Sequence, residues 1–267
     1  MERARLISLI GSICFVLPVA AQTPNGTRQC TADQYRSNDL ITYAELKEQR
    51  LPNGSTDYVN PGTNGSIRVH GWGNADVLVR ACVHSAAATQ AEAQGIASQI
   101  SIARGAGQIE PYGPTPSRSE HWDISYEIWV PVSANVKLEA HNGSIAIDGI
   151  KGQTRFHTEN GSIHLSSVAG DVDGSTENGS VTIELEGSGW NGQGLRAITT
   201  NGSVHLTIPE NFSAQVQAST VNGKLRVEFP ITVQGKIGTN ASFQLGSGGP
   251  LIEAKTVNGS VTVSRKS

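Results

Sequence analysis

The sequence predicts an all-β protein, a parallel β-helix or solenoid built from repeats of about 18–23 residues, with a short N-terminal cap helix. Three observations carry that prediction. The phrase Asn-Gly-Ser, followed by two apolar residues flanking a polar one, recurs along the second half of the chain, as in Asn142-Gly143-Ser144-Ile145-Ala146-Ile147 and Asn160-Gly161-Ser162-Ile163-His164-Leu165. Aligned on Asn, positions 142, 160, 178, 201, 222, 240 and 258 are separated by 18, 18, 23, 21, 18 and 18 residues. Three residues beyond each Asn stand Ile145, Ile163, Val181, Val204, Leu225, Phe243 and Val261; five beyond stand Ile147, Leu165, Ile183, Leu206, Val227, Leu245 and Val263.

Both columns are wholly apolar, while the residues between them, such as His164, Thr182 and Arg226, face the other way. Two positions before the Asn, Thr158, Thr176, Thr199, Thr220 and Thr256 form a third column whose hydroxyls can pair along a stack. One such unit cannot bury its own apolar face, but stacked units turn each column into an internal ladder. The corners are Asn142 and Gly143, Asn160 and Gly161, Asn178 and Gly179, Asn201 and Gly202, Asn222 and Gly223, and Asn258 and Gly259. Both residue types tolerate left-handed backbone, and a repeated amide can bond to the next one up the stack. The alternative is an antiparallel β-sandwich or meander, because Asn-Gly is also the strongest hairpin signal. Recurrence of whole columns in one register favours parallel stacking, where residue n lies above its counterpart.

In chain order, residues 1–21 read as a signal peptide: a basic start at Arg3 and Arg5, an apolar run from Leu6 to Val19, and small exit residues Ala20 and Ala21. Residues 22–62, rich in Asn, Thr, Gly and Pro, read as a flexible N-terminal extension with one helix candidate near Tyr43 to Leu51. Residues 63–134 are expected to be N-terminal strands and a short helix capping the solenoid. The strands are read from Ile67, Val69 and then Val77 to Val83, joined across Gly71-Trp72-Gly73. The helix is read from Ala86 to Ile100, with Thr89 and Glu92 as a capping box. Gly105 to Ser119 reads as a loop, and Trp122 to Val130 as a strand that alternates until Trp129 breaks its polar side and Pro131 stops it. Residues 135–267 are the solenoid repeats, with Trp190 in the longest inter-repeat loop.

Cys14 leaves with the leader, and the remaining Cys30 and Cys82 are a candidate disulfide in an oxidising compartment. Neither belongs to a CxxC pair, so no metal site or cofactor is predicted. Removing Glu2, Arg3 and Arg5 takes the formal charge from -3 to -4, and a mildly acidic chain without a basic run argues against nucleic acid as a partner.

With its leader, the Gly71-Trp72 corner, the segment Tyr126-Glu127-Ile128-Trp129-Val130-Pro131, the Thr-Glu-Asn-Gly-Ser units and the closures Ile208-Pro209 and Phe229-Pro230, the chain resembles the bacterial candidate-adhesin β-repeat family. The resemblance covers about Thr63 to Val263. It implies an exported, envelope-associated β-helical domain of unknown function and supplies no catalytic motif. Gly238 and Ala241 depart from the pattern, which predicts a distorted corner at Asn240.

The functional expectation is a non-catalytic exported protein of the periplasm, outer envelope or exterior, acting as an adhesin-like or structural binding protein. Surface glycans or envelope proteins are the expected partner classes, with Trp129 and Trp190 as candidate ligand contacts. The last coil ends at Val263, and an open strand edge there would allow end-to-end self-association. The alternative is a carbohydrate-active β-helix enzyme using outer-face carboxylates, with Asp171 and Asp173 the best placed and Asp148, Glu184 and Glu186 on nearby coils. Calcium at Asp171 and Asp173 is the metal variant of that alternative.

Overall fold

In the computed structural model, residues 29–32, 39–228 and 238–266 are described. The expected leader and the Phe229-Pro230 closure lie outside them. The chain runs from a long strand β1 (Ile41–Pro52) through β2 (Asp57–Val59), β3 (Ile67–Trp72) and β4 (Asp76–Ala87) into helix α1 (Gln90–Ser98). A short β5 (Gln108–Ile109) and β6 (His121–Pro131) follow. The repeats then alternate between two sheets: β7 (Val136–Asn142) and β8 (Ile145–Asp148), β9 (Gln153–Asn160) and β10 (Ile163–Ser166), β11 (Asp171–Asn178) and β12 (Val181–Glu184), and β13 (Gly194–Asn201) and β14 (Val204–Ile208). Last come β15 (Ala214–Asn222), β16 (Leu225–Val227), β17 (Asn240–Leu245), β18 (Leu251–Asn258) and β19 (Val261–Arg265).

Among the described residues these strands form a ten-stranded sheet, ordered β1-β4-β6-β3-β8-β10-β12-β14-β19-β16, and a nine-stranded sheet, ordered β17-β15-β18-β13-β11-β9-β7-β2-β5. Successive coils pair parallel and in register. Ile67, Ile145, Ile163, Val181, Val204 and Val261 make one buried column, and Val69, Ile147, Leu165, Ile183, Leu206 and Val263 the next. Each large aliphatic side chain removed from water in this way contributes about 1.5–3 kcal/mol. The molecule is therefore an all-β parallel solenoid, as the columns predict, with an antiparallel β1-β4-β6 flank at its N-terminal end. Helix α1 covers that flank with Ala93, Ile96 and Ala97, and its Thr89–Glu92 capping box is formed.

The corners work differently from the expectation. Among the described residues, Ser167 alone of the non-glycine residues has positive φ, so the corner Asn residues do not use left-handed backbone. A type I′ hairpin would require it. Glycine is needed for space instead. A Cβ on Gly143, Gly161, Gly179 or Gly202 would stand 1.9–2.1 Å from the carbonyl oxygen of the neighbouring coil's corner glycine. The Asn amides run as a ladder: Asn142 donates to Asn64, Asn160 to Asn142, Asn178 to Asn160, Asn201 to Asn178, Asn258 to Asn201 and Asn222 to Asn258, at 2.8–3.0 Å. The Thr hydroxyls do not pair with one another; each donates to a glycine carbonyl, as Thr176 does to Gly161 at 2.8 Å.

Four further expectations are corrected. Tyr43 to Leu51 is strand, because it completes the sheet along β4 from Ile41↔Ala87 to Pro52↔Asp76. Residues 39–62 thus carry two strands, and β2 with β3 already stacks on β7 and β8 as a coil, turning at Asn64-Gly65-Ser66. Asn240 is not a corner: β17 runs antiparallel to β15 and places Asn240 opposite Ser219, so the 18-residue spacing there is coincidental. The final coil is not at the end of the stack. β18 lies between β13 and β15, and β19 between β14 and β16, so both strands of the last coil are paired on each side.

Candidate functional site

Period-two alternation on the repeat strands sends one set of side chains inward and the other onto two sheet faces. On the nine-stranded sheet the outward set is a chain of ion pairs. Glu139 takes Lys137 and the Tyr58 hydroxyl, both at 2.7 Å; Asp171 takes Arg155 at 2.5 Å; Arg196 bridges Asp173 at 3.0 Å and Glu253 at 3.3 Å. Hydrogen bonds from Arg155 and then Gln153 hold the Asp171 carboxyl below the usual range, and those from Lys137 and Tyr58 do the same for Glu139. Asp148 and Glu184 belong to the ten-stranded sheet, so the carboxylates expected to cluster with Asp171 and Asp173 do not share a groove with them. Glu186 instead meets Lys266 at 3.4 Å, and hydrogen bonds from Ser167 and Lys266 keep it ionised below the usual range. His141 and Glu159, at equivalent corner positions, pair at 2.6 Å.

A concave feature lies at the N-terminal end of the other sheet. A cleft of about 400 Å³ opens over β3, β4 and β6. Strand register builds its floor in rows: Arg80, Glu127 and Arg68 in one, Cys82 and Ser125 in the next, His84 and Asp123 beyond. Glu127 lies 3.3 Å from His70, Arg80 lies 3.4 Å from Glu48, and the Ser66 amide donates to Ser125 at 3.2 Å. Arg68 lines the cleft, is exposed, and makes no ion pair among the described residues. Cys30 and Cys82 are joined as a disulfide with Cα atoms 5.4 Å apart. Beneath it Cys82 Sγ lies 3.3 Å from His84 Nε2, and His84 Nδ1 lies 3.5 Å from Asp123 Oδ1.

The two candidate ligand-contact tryptophans are buried. Trp129 is stacked under His70 with ring centroids 5.2 Å apart, and the Trp190 indole N–H donates to Gly170 at 3.1 Å. Their positions explain why Trp129 breaks the polar alternation of β6: the imidazole covers it. Sequence reasoning missed two features. Thr63-Asn64-Gly65-Ser66-Ile67-Arg68-Val69 is a complete copy of the repeat phrase, and it was legible. The His84–Asp123 pair was not, because only the antiparallel register of β4 and β6 brings them together.

Parallel coils stacked on a ladder of corner amides, with a flanking antiparallel cap, place the chain among the β-solenoids. A family model described as Toastrack DUF4097 matches residues 59–264, and the chain belongs to that family. Comparison with curated proteins gives no match. Among solved structures, a candidate cell adhesion protein from Clostridium sporogenes is 15% identical, with a TM-score of 0.42 over 85% of this chain and 100% of that one. A candidate adhesin from Bacteroides fragilis is 11% identical, with a TM-score of 0.42 over 83% and 97%. A candidate lipid binding protein from Parabacteroides distasonis is 9% identical, with a TM-score of 0.31 over 84% and 97%.

Proposed function

We propose that the chain is a non-catalytic, exported binding and scaffold protein of the cell envelope, adhesin-like in use, whose cleft over β3, β4 and β6 takes the acidic group of a surface glycan. The leader composition and the disulfide support export. Among the described residues no helix is long and apolar enough to cross a membrane.

The observation that carries the binding reading is Arg68. It stands in the cleft beside Ser66, Ser125 and Ser144 with its guanidinium unpaired among the described residues, whereas the carboxylates nearby already face basic groups. A carboxylate or sulfate would complete it as a planar, bidentate acceptor. The repeat strands supply a stiff wall that holds this geometry.

A glycan array on the mature protein tests the reading. Acidic glycans should bind in preference to neutral ones, and Arg68→Gln should weaken binding at least about tenfold, as expected for loss of a charged hydrogen bond of about 1.5–3 kcal/mol. A blank array, or binding that Arg68→Gln leaves unchanged, defeats it. Shortened or unsaturated sugar products would instead favour the carbohydrate-active enzyme.

A further inference from the structure

We propose that Cys30, Cys82 and His84 form a redox-gated site for a thiolate-preferring divalent ion of the zinc type, closed by the disulfide and opened when a dithiol reductant cleaves it. Ligand atoms of the three residues all lie within 4.8 Å of one another. The separation of 3.3 Å between Cys82 Sγ and His84 Nε2 is already near the roughly 3.5 Å edge of a tetrahedral site with metal–sulfur bonds of about 2.3 Å and metal–nitrogen bonds of about 2.0 Å.

The far side of the imidazole matches as well. Nδ1 lies 3.5 Å from Asp123 Oδ1, and both side chains are buried, at 6% and 7% exposure. Among the described residues Asp123 Oδ1 makes no hydrogen bond in the disulfide form. A proton on Nδ1 turned toward Asp123 leaves the Nε2 lone pair directed at the sulfurs, the carboxylate–imidazole–metal order that orients metal-bound histidines. A disulfide needs no such pair beneath it, and a buried carboxylate is costly unless it is paired, as Asp123 is with this imidazole.

Opening is mechanically simple. Cys82 is held within β4, whereas Cys30 lies outside any strand, so its sulfur can swing away to the spacing that two thiolates on one metal require. The reductant R(SH)₂ gives two electrons and two protons to the S–S bond and leaves as its own cyclic disulfide, with Cys30 and Cys82 as thiols. Metal binding then releases those two protons to solvent, and the neutral imidazole releases none. Cys82 and His84 line the cleft, which leaves the fourth position to water or an anionic ligand. The site was invisible in the cysteine spacing because its three ligands come from the N-terminal segment and from alternate positions of one strand. It is independent of the glycan reading.

The mature chain, reduced with a phosphine, desalted under nitrogen and titrated with Co²⁺, tests the proposal. One equivalent should give the thiolate-to-cobalt charge-transfer band and the visible bands of a tetrahedral site, both displaced by Zn²⁺ and both absent from the oxidised protein. His84→Ala should weaken binding at least about tenfold, and Asp123→Asn about 10–100-fold. A reduced protein without the thiolate band, or one whose affinity His84→Ala does not change, overturns the site. If circular dichroism shows that reduction unfolds the chain, one equivalent of Zn²⁺ must restore the β-sheet spectrum, and failure to do so also overturns it.

Discussion

At the scale of single residues, the corner glycines are held by what lies against them. A methyl on Gly161 would meet the Gly143 carbonyl oxygen at 2.0 Å, so Gly161→Ala must push two coils apart. Overpacking of this kind typically costs about 1–3 kcal/mol, and the urea midpoint should fall accordingly. Gly73→Ala, where nothing lies within 4 Å of the added atom, should stay within about 0.5 kcal/mol of the parent. The sequence displayed these glycines plainly but not the reason for them, since a residue chosen for φ and one chosen for absent volume are written alike. Asp57 makes a second case. It is buried in β2, its Oδ1 accepts from the Gly54 amide at 3.2 Å, its Oδ2 has no partner among the described residues, and burial raises its pKa. As pH rises past the ordinary Asp value, the unfolded chain ionises while the folded one keeps its proton, so this group removes stability until its raised folded value is passed. Asp57→Asn should abolish that downward slope in a series of urea midpoints from pH 4 to 8. Superimposable slopes for the two proteins would refute the assignment.

At the scale of elements, β1 shows where sequence reading stops. Tyr43-Ala44-Glu45-Leu46-Lys47-Glu48-Gln49-Arg50-Leu51 is dense in helix formers, but pairing along the whole of β4 outweighs a propensity of a few tenths of a kcal/mol per residue. The helix that was legible, α1, announced itself through Thr89 and Glu92, a local signal needing no partner. The two elements meet at Lys47, whose ammonium donates to the Ala97 and Ile100 carbonyls at 2.7 Å and neutralises a helix end that has no basic residue of its own. Lys47→Met should lower stability by about 1–3 kcal/mol. It should also speed hydrogen exchange at the amides of the last turn of α1 while leaving the repeat strands protected. The same limit explains the site: alternation shows which residues of β4 and β6 face outward, and only their register puts His84 beside Asp123.

For the whole molecule, the columns correctly identified parallel coils, because in-register stacking alone needs the same residue type at the same place in every turn. They could not reveal coil order, since equivalent repeats are interchangeable by construction. Thr199, Thr256 and Thr220 stack in that order, as do Asn201, Asn258 and Asn222. Deleting residues 251–267 therefore removes a middle layer. The truncated chain should lose the Asn222 coil as well as its own terminus, and limited proteolysis should cut between residues 214 and 250, where an ordinary solenoid would lose its last turn alone. Protection of that region after truncation would instead mean that β15 takes the berth beside β13 that β18 leaves empty.

The inserted coil also imposes a timetable. A chain released N-terminus first makes β15 available before β18 exists, and β15 carries the same marks, Thr220 and Asn222, that β13 accepts from Thr256 and Asn258. Two segments with the same corner residues thus compete for one berth. The earlier arrival has to yield it or be kept waiting, so the stack reaches its described order only once residues 251–258 have entered it.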